Sequence, residues 1–174
     1  MVTYKQRFSR QNLFALFVAC AFPVHVWAII GLLNQIPAWI LRVNLWELTG
    51  MIGLTLMFTL LESLIVTVGV VVLAALIPGK WFTEKMVVLS AWFIWLTSIV
   101  SMIAHLQESL MRSFFGIVIV AAYLALILGS YWLVRRFPKF EAGMKSFIER
   151  LAVLTALYLF LDVVGLVIVI IRNV

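Results

Sequence analysis

The chain has 174 residues, of which 66% are hydrophobic and 11% are charged, and its mean hydropathy is +1.18. A soluble domain carries about a quarter charged residues, so this composition excludes a water-soluble globular protein. The net charge of +6 is explained in a membrane protein by cationic loops, and we expect no nucleic-acid partner.

Five long apolar runs follow one another along the sequence and predict an all-α integral membrane protein with a single transmembrane domain over residues 1–174. The predicted spans cover about residues 13–33, 50–77, 86–106, 113–134 and 151–171. Each run is long enough for a helix to cross the roughly 30 Å hydrocarbon core of a bilayer. We therefore predict a five-span transmembrane helical bundle with short loops and interfacial amphipathic segments.

The first span contains Pro23, which removes one helical hydrogen bond and predicts a kink, and His25 follows just beyond it. Residues 34–49 are too apolar for a free loop and too interrupted for a span. Trp39 and Trp46 in this connection are typical of a segment at the headgroup level of a membrane. We therefore expect an interfacial segment between the first two spans.

The second span carries an acidic residue at its middle, Glu62, with long uncharged stretches on both sides. Thr55, Thr59, Ser63 and Thr67 recur at every fourth position, so on a helix they form one polar stripe beside the carboxylate. An ionisable side chain at bilayer depth is costly, and it is therefore a candidate functional site.

The third and fourth spans add a second polar stripe and a face of small residues. The stripe of the third span consists of Ser90, Thr97, Ser98, Ser101 and His105. In the fourth span, Ala121, Ala125 and Gly129 recur at every fourth position, a pattern that favours close packing against another helix.

Residues 138–150 show an amphipathic pattern that predicts a helix on the membrane surface, with Pro138 suited to its first turn. Cationic side chains in and beside this segment are expected to contact anionic headgroups of the inner leaflet. These side chains are Arg135, Arg136, Lys139, Lys145 and Arg150.

The distribution of basic residues predicts the orientation of the chain. If the N-terminus is inside, ten of the 13 lysines and arginines fall in inner segments, and only Arg42, Arg112 and Arg172 fall in outer ones. Inner segments of membrane proteins are enriched in basic residues. We therefore predict that the N-terminus is inside and the C-terminus outside, in a cytoplasmic (inner) membrane.

The fifth span brings a second acidic residue, and the helical rise places His25, Glu62 and Asp162 within about two turns of a common depth. Two carboxylates in a medium of low dielectric constant cannot both be charged comfortably, so one keeps its proton. Such a pair, with hydroxyl groups nearby, is suited to binding and releasing a proton or a small cation. The predicted ion- or proton-binding candidates are Glu62, Asp162, His25, Thr59, Ser63, Thr155 and Tyr158.

These residues favour a small transporter, channel or ion-translocating subunit. A second hypothesis is a non-catalytic accessory or anchoring subunit of a larger membrane complex, and a third is a membrane-embedded lipid-modifying enzyme. The third ranks lowest because lipid headgroup chemistry belongs near an interface, whereas both acids are predicted at mid-membrane. In a purely structural alternative, the two acids stay neutral and hydrogen-bond neighbouring helices.

The sequence contains none of the HExxH, CxxC, GxSxG or glycine-rich phosphate-loop patterns, so we lean away from an enzyme and assign no catalytic or metal-ligating residue. His25 and His105 are predicted to differ in depth by roughly 10 Å, which does not suit two axial ligands of one haem iron. We therefore expect no cofactor. The expected partners are the lipid bilayer and either a second copy of the chain or a larger membrane protein.

Overall fold

The computed structural model describes residues 9–76, 85–107 and 114–173. These residues form five α-helices and no strand. The helices are α1 (Arg10–Ile40), α2 (Leu45–Leu76), α3 (Met86–Leu106), α4 (Phe114–Arg136) and α5 (Pro138–Asn173). All five are long and apolar enough to cross a membrane, which supports the predicted class of all-helical integral membrane protein.

The turn between α1 and α2 is much shorter than the sequence predicts. α1 continues through Pro37 as far as Ile40, and α2 begins at Leu45, so most of the predicted interfacial segment 34–49 is helical. The start of α2 is fixed by a reciprocal capping box, in which the Glu47 N–H donates to Asn44 Oδ1 at 2.8 Å and the Asn44 N–H donates to Glu47 Oε2 at 3.2 Å.

Neighbouring helices in the sequence run in opposite directions. The first turn of α2 contacts the last turn of α5, where Arg172 Nη1 donates to the backbone carbonyl of Glu47 at 3.3 Å. These two helices are therefore antiparallel. Thr97 of α3 and Tyr123 of α4 share a hydrogen bond of 2.9 Å between their hydroxyl groups. Lys85, just before α3, bonds Val134 near the end of α4, so these two helices are antiparallel.

Along α1, Phe22 meets Trp95 and Trp27 meets His105, so α1 runs parallel to α3. α1 also runs parallel to α5, because Val18 shares a cluster with Ile148 and His25 bonds Asp162. α1, α3 and α5 therefore point one way, and α2 and α4 point the other way.

α5 is one continuous helix of 36 residues. The predicted surface helix 138–150 and the predicted fifth span are therefore parts of one helix, about 54 Å long at the normal helical rise. Its buried residues follow alternating steps of four and three, as in a coiled-coil seam. They are Met144, Ile148, Leu151, Thr155, Tyr158, Asp162 and Gly165.

The apolar face of segment 138–150 packs against protein. Met144, Ile148 and Leu151 are buried in a cluster with Val18 of α1 and Ala91 of α3. The segment is helical and amphipathic as the sequence predicts, but its apolar face covers other helices of the bundle and does not lie on the membrane surface. The periodicity alone does not distinguish these two uses of an apolar face.

α2 and α5 approach each other closely at two glycines. A Cβ atom added to Gly165 would lie 2.9 Å from the carbonyl oxygen of Gly53, and one added to Gly53 would lie 3.1 Å from the carbonyl oxygen of Gly165. A larger residue at either position would force the two backbones apart. This contact lies one turn beyond Asp162 on α5.

Lys85 joins α3, α4 and α5 at one end of the bundle. Its ammonium group donates to the Val134 carbonyl near the end of α4 at 2.7 Å and lies 3.1 Å from Glu141 Oε2. Lys145 Nζ donates to the other oxygen of the same carboxylate at 2.7 Å. This end of the bundle is therefore held by a polar network.

α4 lies at the periphery of the described chain. Ala121 and Ala125 are exposed, and a Cβ atom added to Gly129 would meet nothing within 4 Å. The predicted small-residue face is therefore not used in packing between the described helices.

Candidate functional site

The site begins at the proline of α1. Pro23 has no N–H, so the carbonyl of Ala19, four residues earlier, lacks the donor that a regular helix would provide. The indole N–H of Trp95 on α3 donates to this carbonyl at 2.9 Å. The helical turn that ends at Pro23 is therefore bound to α3, two residues before His25.

His25 is buried, with 2% of its surface exposed, and both ring nitrogens are engaged. Nδ1 lies 2.8 Å from the Ala21 carbonyl on its own helix, and Nε2 lies 3.0 Å from Asp162 Oδ2 on α5. The ring stacks on that of Tyr158, with centroids 4.8 Å apart and planes 9° from parallel. These contacts fix both the position and the plane of the imidazole.

The partners of His25 determine how many protons the pair holds. A carbonyl oxygen only accepts, so Nδ1 must carry a hydrogen that it donates to Ala21. A second proton lies between Nε2 and Asp162 Oδ2, on the nitrogen in an imidazolium–carboxylate pair or on the oxygen in a neutral pair. In both arrangements the His25–Asp162 pair shares one proton and has no net charge.

The other carboxyl oxygen of Asp162 has a different environment. Asp162 is completely buried, and its Oδ1 has no hydrogen-bond partner within the described ranges of the chain. A buried polar atom without a partner is costly and uncommon, so it needs an explanation such as a water, an ion or a proton that reaches it.

Three predicted hydroxyl residues, Thr59, Ser63 and Thr155, are buried. Each donates its hydrogen to the carbonyl four residues earlier on its own helix, at 2.8 Å for Thr59 and Ser63 and 3.0 Å for Thr155. Because the hydroxyl hydrogens are used in this way, these side chains offer their neighbours only oxygen lone pairs. Lone pairs suit a cation or a proton donor and do not suit an anion.

Glu62, unlike these hydroxyl residues, is not buried. Its side chain is exposed and lines an open groove of about 500 Å³ between α1, α2 and α3, here called the α1–α3 groove. Residues that line the groove include Phe22, Trp27, Glu62, Trp95, Ser101 and His105. Glu62 makes no hydrogen bond or ion pair within residues 9–76, 85–107 and 114–173, and the partner of Asp162 there is His25. The predicted set therefore separates into a buried His25–Asp162 pair and a carboxylate in the groove.

The predicted lipid-contact residues lie at the Lys85 end of the bundle. Arg136, Lys139, Lys145 and Arg150 are exposed, and Lys145 pairs with Glu141 at 2.7 Å. The guanidinium of Arg136 also lies 5.8 Å from the ring centroid of Trp132. The side chain of Arg135 lies outside the described part of the structure.

Two contributors to the site have weak signals in the sequence. Trp95 supplies the hydrogen-bond donor for the Ala19 carbonyl. The signal in the sequence is Pro23, because a proline inside a span leaves the carbonyl four residues earlier in need of another donor. Gly53 brings α2 against α5, and the available signal was a glycine within an otherwise bulky apolar helix. Neither signal identifies the partner helix.

Comparisons of this chain with protein-family models, with curated proteins and with solved structures found no match.

Proposed function

We propose that this chain is an ion-translocating membrane protein, acting as a transporter, a channel or a subunit of one, and that its ion site is the His25–Asp162 pair. The observation that carries the proposal is a completely buried carboxylate, one oxygen of which lies 3.0 Å from a histidine nitrogen while the other has no hydrogen-bond partner among the described residues. Intramembrane ionisable groups are rare and costly, and they mark ion or proton pathways.

The charge of the pair favours exchange of one proton for one monovalent cation. Loss of the shared proton alone would leave a buried negative charge, and gain of a second proton would leave a buried positive charge. If the proton leaves as a monovalent cation enters, the net charge stays at zero. Asp162 Oδ1 and the lone pair released on His25 Nε2 would then be ligands of the cation.

Buried hydroxyl groups on α2 and α5 support this exchange. The oxygen atoms of Thr59, Ser63 and Thr155 are buried and have already donated their hydrogens, so the polar groups on α2 and α5 present acceptors to the interior. A site rich in acceptors and bearing one removable proton favours a small cation over an anion.

The test is proton release on addition of a cation. Purified protein in a weakly buffered solution with a pH-sensitive dye is mixed with NaCl or KCl, and choline chloride serves as the ionic-strength control. We expect release of up to one proton per chain by the native protein and none by Asp162→Asn, because the amide can donate to His25 Nε2 but has no exchangeable acid proton.

Glu149→Gln is the matched control, because Glu149 is an exposed carboxylate on the same helix. This variant should release protons like the native protein. Equal release from the native protein and Asp162→Asn would refute the proposal, and so would absence of release from a native protein that remains folded. In either case the His25–Asp162 pair would be a purely structural link between α1 and α5.

We also propose that the N-terminus and the Lys85 end of the bundle face the inside of a cytoplasmic membrane. The support is the concentration of basic residues at this end, among them the exposed Arg136, Lys139 and Arg150. Single cysteines at Ser9 and Asn173, in a Cys20→Ser background, should react with an impermeant maleimide from opposite sides of the membrane. Labelling of both from one side would contradict the orientation.

A second candidate function is that of an accessory subunit. The observation in its favour is the exposed small-residue face of α4, formed by Ala121, Ala125 and Gly129. It predicts that Ala125→Leu reduces co-purification of a larger membrane protein from native membranes, while Leu124→Ala does not.

A further inference from the structure

The α1–α3 groove combines a lone carboxylate with aromatic walls. Its polar groups are few, and around Glu62 the lining is mainly apolar and aromatic, including Phe22, Trp27 and Trp95. A volume of about 500 Å³ falls in the range of sites that bind small organic molecules. The groove therefore has the size and the composition of a ligand site.

No described residue forms an ion pair or a hydrogen bond with the carboxylate of the groove. Glu62 has no hydrogen bond and no ion pair in the described chain, although His105 lines the same groove. A carboxylate at bilayer depth is costly without a partner, so a cation from outside the chain would be strongly favoured there. A bare metal ion would find one carboxylate and few other oxygens, because the remaining lining is mostly apolar.

The aromatic side chains define the kind of cation. Trp27 is 38% exposed, so its ring is accessible from the groove, and it meets His105 edge to face at 5.4 Å. Tryptophan faces attract organic cations. An apolar body bearing a single delocalised positive charge would match both the walls and Glu62.

We infer that the α1–α3 groove binds an apolar organic monocation, with Glu62 as its counter-ion and Trp27 as an aromatic contact. This site differs from the buried His25–Asp162 pair, although residues of α1 contribute to both. On α1, Trp27 lines the groove while His25 is buried, and on α2, Glu62 lines the groove while Ser63 is buried.

The test is a binding measurement that requires no transport. The native protein in nanodiscs of zwitterionic lipid is equilibrated with radiolabelled tetraphenylphosphonium, and binding to empty nanodiscs is subtracted. We expect saturable binding to the native protein and an affinity at least about tenfold weaker for Glu62→Gln, because the variant loses the attraction between the carboxylate and the cation; tenfold corresponds to about 1.4 kcal/mol. Trp27→Leu should weaken binding by about threefold or more.

Two controls separate charge from folding. Glu149→Gln removes an exposed carboxylate from another groove and should bind like the native protein. Glu62→Asp keeps the charge and should retain binding. Neutral triphenylphosphine oxide should compete poorly with the labelled cation.

Three results would overturn the inference: no saturable binding to the native protein, equal affinity in Glu62→Gln, or equal competition by the neutral compound. Because the assay measures binding at the groove only, its failure would leave the proposal for the His25–Asp162 pair unaffected.

Discussion

The indole of Trp95 replaces the backbone donor that Pro23 lacks. It donates to the Ala19 carbonyl at 2.9 Å, so a carbonyl freed within α1 is bound by a side chain of α3. A proline turn in a membrane helix leaves a polar group that lipid cannot satisfy, and a neighbouring helix must do so. The position of His25, two residues after Pro23, therefore depends on α3 as well as on α1.

We expect Trp95→Phe to lower the free energy of unfolding by about 1–3 kcal/mol, because it leaves the Ala19 carbonyl without a partner. In a Pro23→Ala background the residue at position 23 can donate to that carbonyl, so the same substitution should cost less. Unfolding in detergent at increasing denaturant measures all four proteins of this double-mutant cycle. An equal cost of Trp95→Phe in both backgrounds would show that the hydrogen bond contributes nothing.

The contact of α2 with α5 predicts that substitution by alanine destabilises the protein at Gly165 but not at Gly69. The Cβ of Gly165→Ala would lie 2.9 Å from the Gly53 carbonyl oxygen, so we expect a loss of about 1–3 kcal/mol. Gly69→Ala meets nothing within 4 Å, and it should be neutral or stabilising by up to about 1 kcal/mol. Thermal unfolding in the same detergent compares them, and similar effects would contradict the described packing.

Removal of one member of the buried pair should be more damaging than replacement of both. Asp162→Ala leaves His25 Nε2 buried without a partner, and we expect a loss of about 3–5 kcal/mol. Asp162→Asn should lose much less, since its amide can donate to Nε2. The double variant His25→Leu with Asp162→Leu should lose less than the sum of the two single changes. Denaturant unfolding of the native protein, His25→Leu, Asp162→Leu and the double variant gives the four free energies of this cycle. Additive losses would argue against coupling between the two side chains.

The network at Lys85 predicts a dependence on pH. Glu141 lies before the apolar stretch of α5; burial raises its pKa, but the hydrogen bonds and charges of Lys145 and Lys85 outweigh this and hold the pKa below the ordinary carboxylate value. A lowered pKa means that the contribution of Glu141 to stability is complete above the ordinary carboxylate range and is lost as the pH falls through the lowered value. Because the side chains of Lys85 and Lys145 are partly exposed, solvent screens these ion pairs, and we expect this contribution to be below about 1 kcal/mol.

The measurement for Glu141 is a comparison of unfolding temperatures of the native protein and Glu141→Gln. The native protein should be more stable at pH 7, and the difference should disappear as the solution is acidified below the carboxylate range. Glu149→Gln, which removes an exposed carboxylate from the same helix, is the control. A difference that is constant with pH would show that the ion pairs with Lys85 and Lys145 are not its cause.

Much of the helical architecture follows from hydrophobic run length and proline chemistry. The five runs predict the five helices, because a long apolar segment in lipid must satisfy its backbone internally. The extension of α1 through Pro37 was not predicted, because a proline and two interfacial tryptophans also fit a broken segment. The packing of Met144 and Ile148 on α1 and α3 was not predicted either, since an amphipathic face does not reveal what covers it.

The sequence indicates which residues form the site, but not which of them pair with each other. Depth along the helices placed His25, Glu62 and Asp162 near one level, but depth does not give the rotation of each helix. In the structure that rotation buries Asp162 with His25 and turns Glu62 to the groove. Helix rotation depends on long-range packing, such as the contact of Gly53 with Gly165, which no local pattern encodes.

Because α5 is one unbroken helix, the direction in which Asp162 points depends on the number of residues between it and the packed residues before it. One residue inserted between Leu151 and Asp162 would rotate the carboxylate by about 100° and turn it from the interior toward lipid, while the seam before the insertion stayed packed. An insertion of four residues would nearly restore its direction but would raise it by about 6 Å, away from His25. The number of residues between the two positions is therefore as much a part of the site as the carboxylate itself.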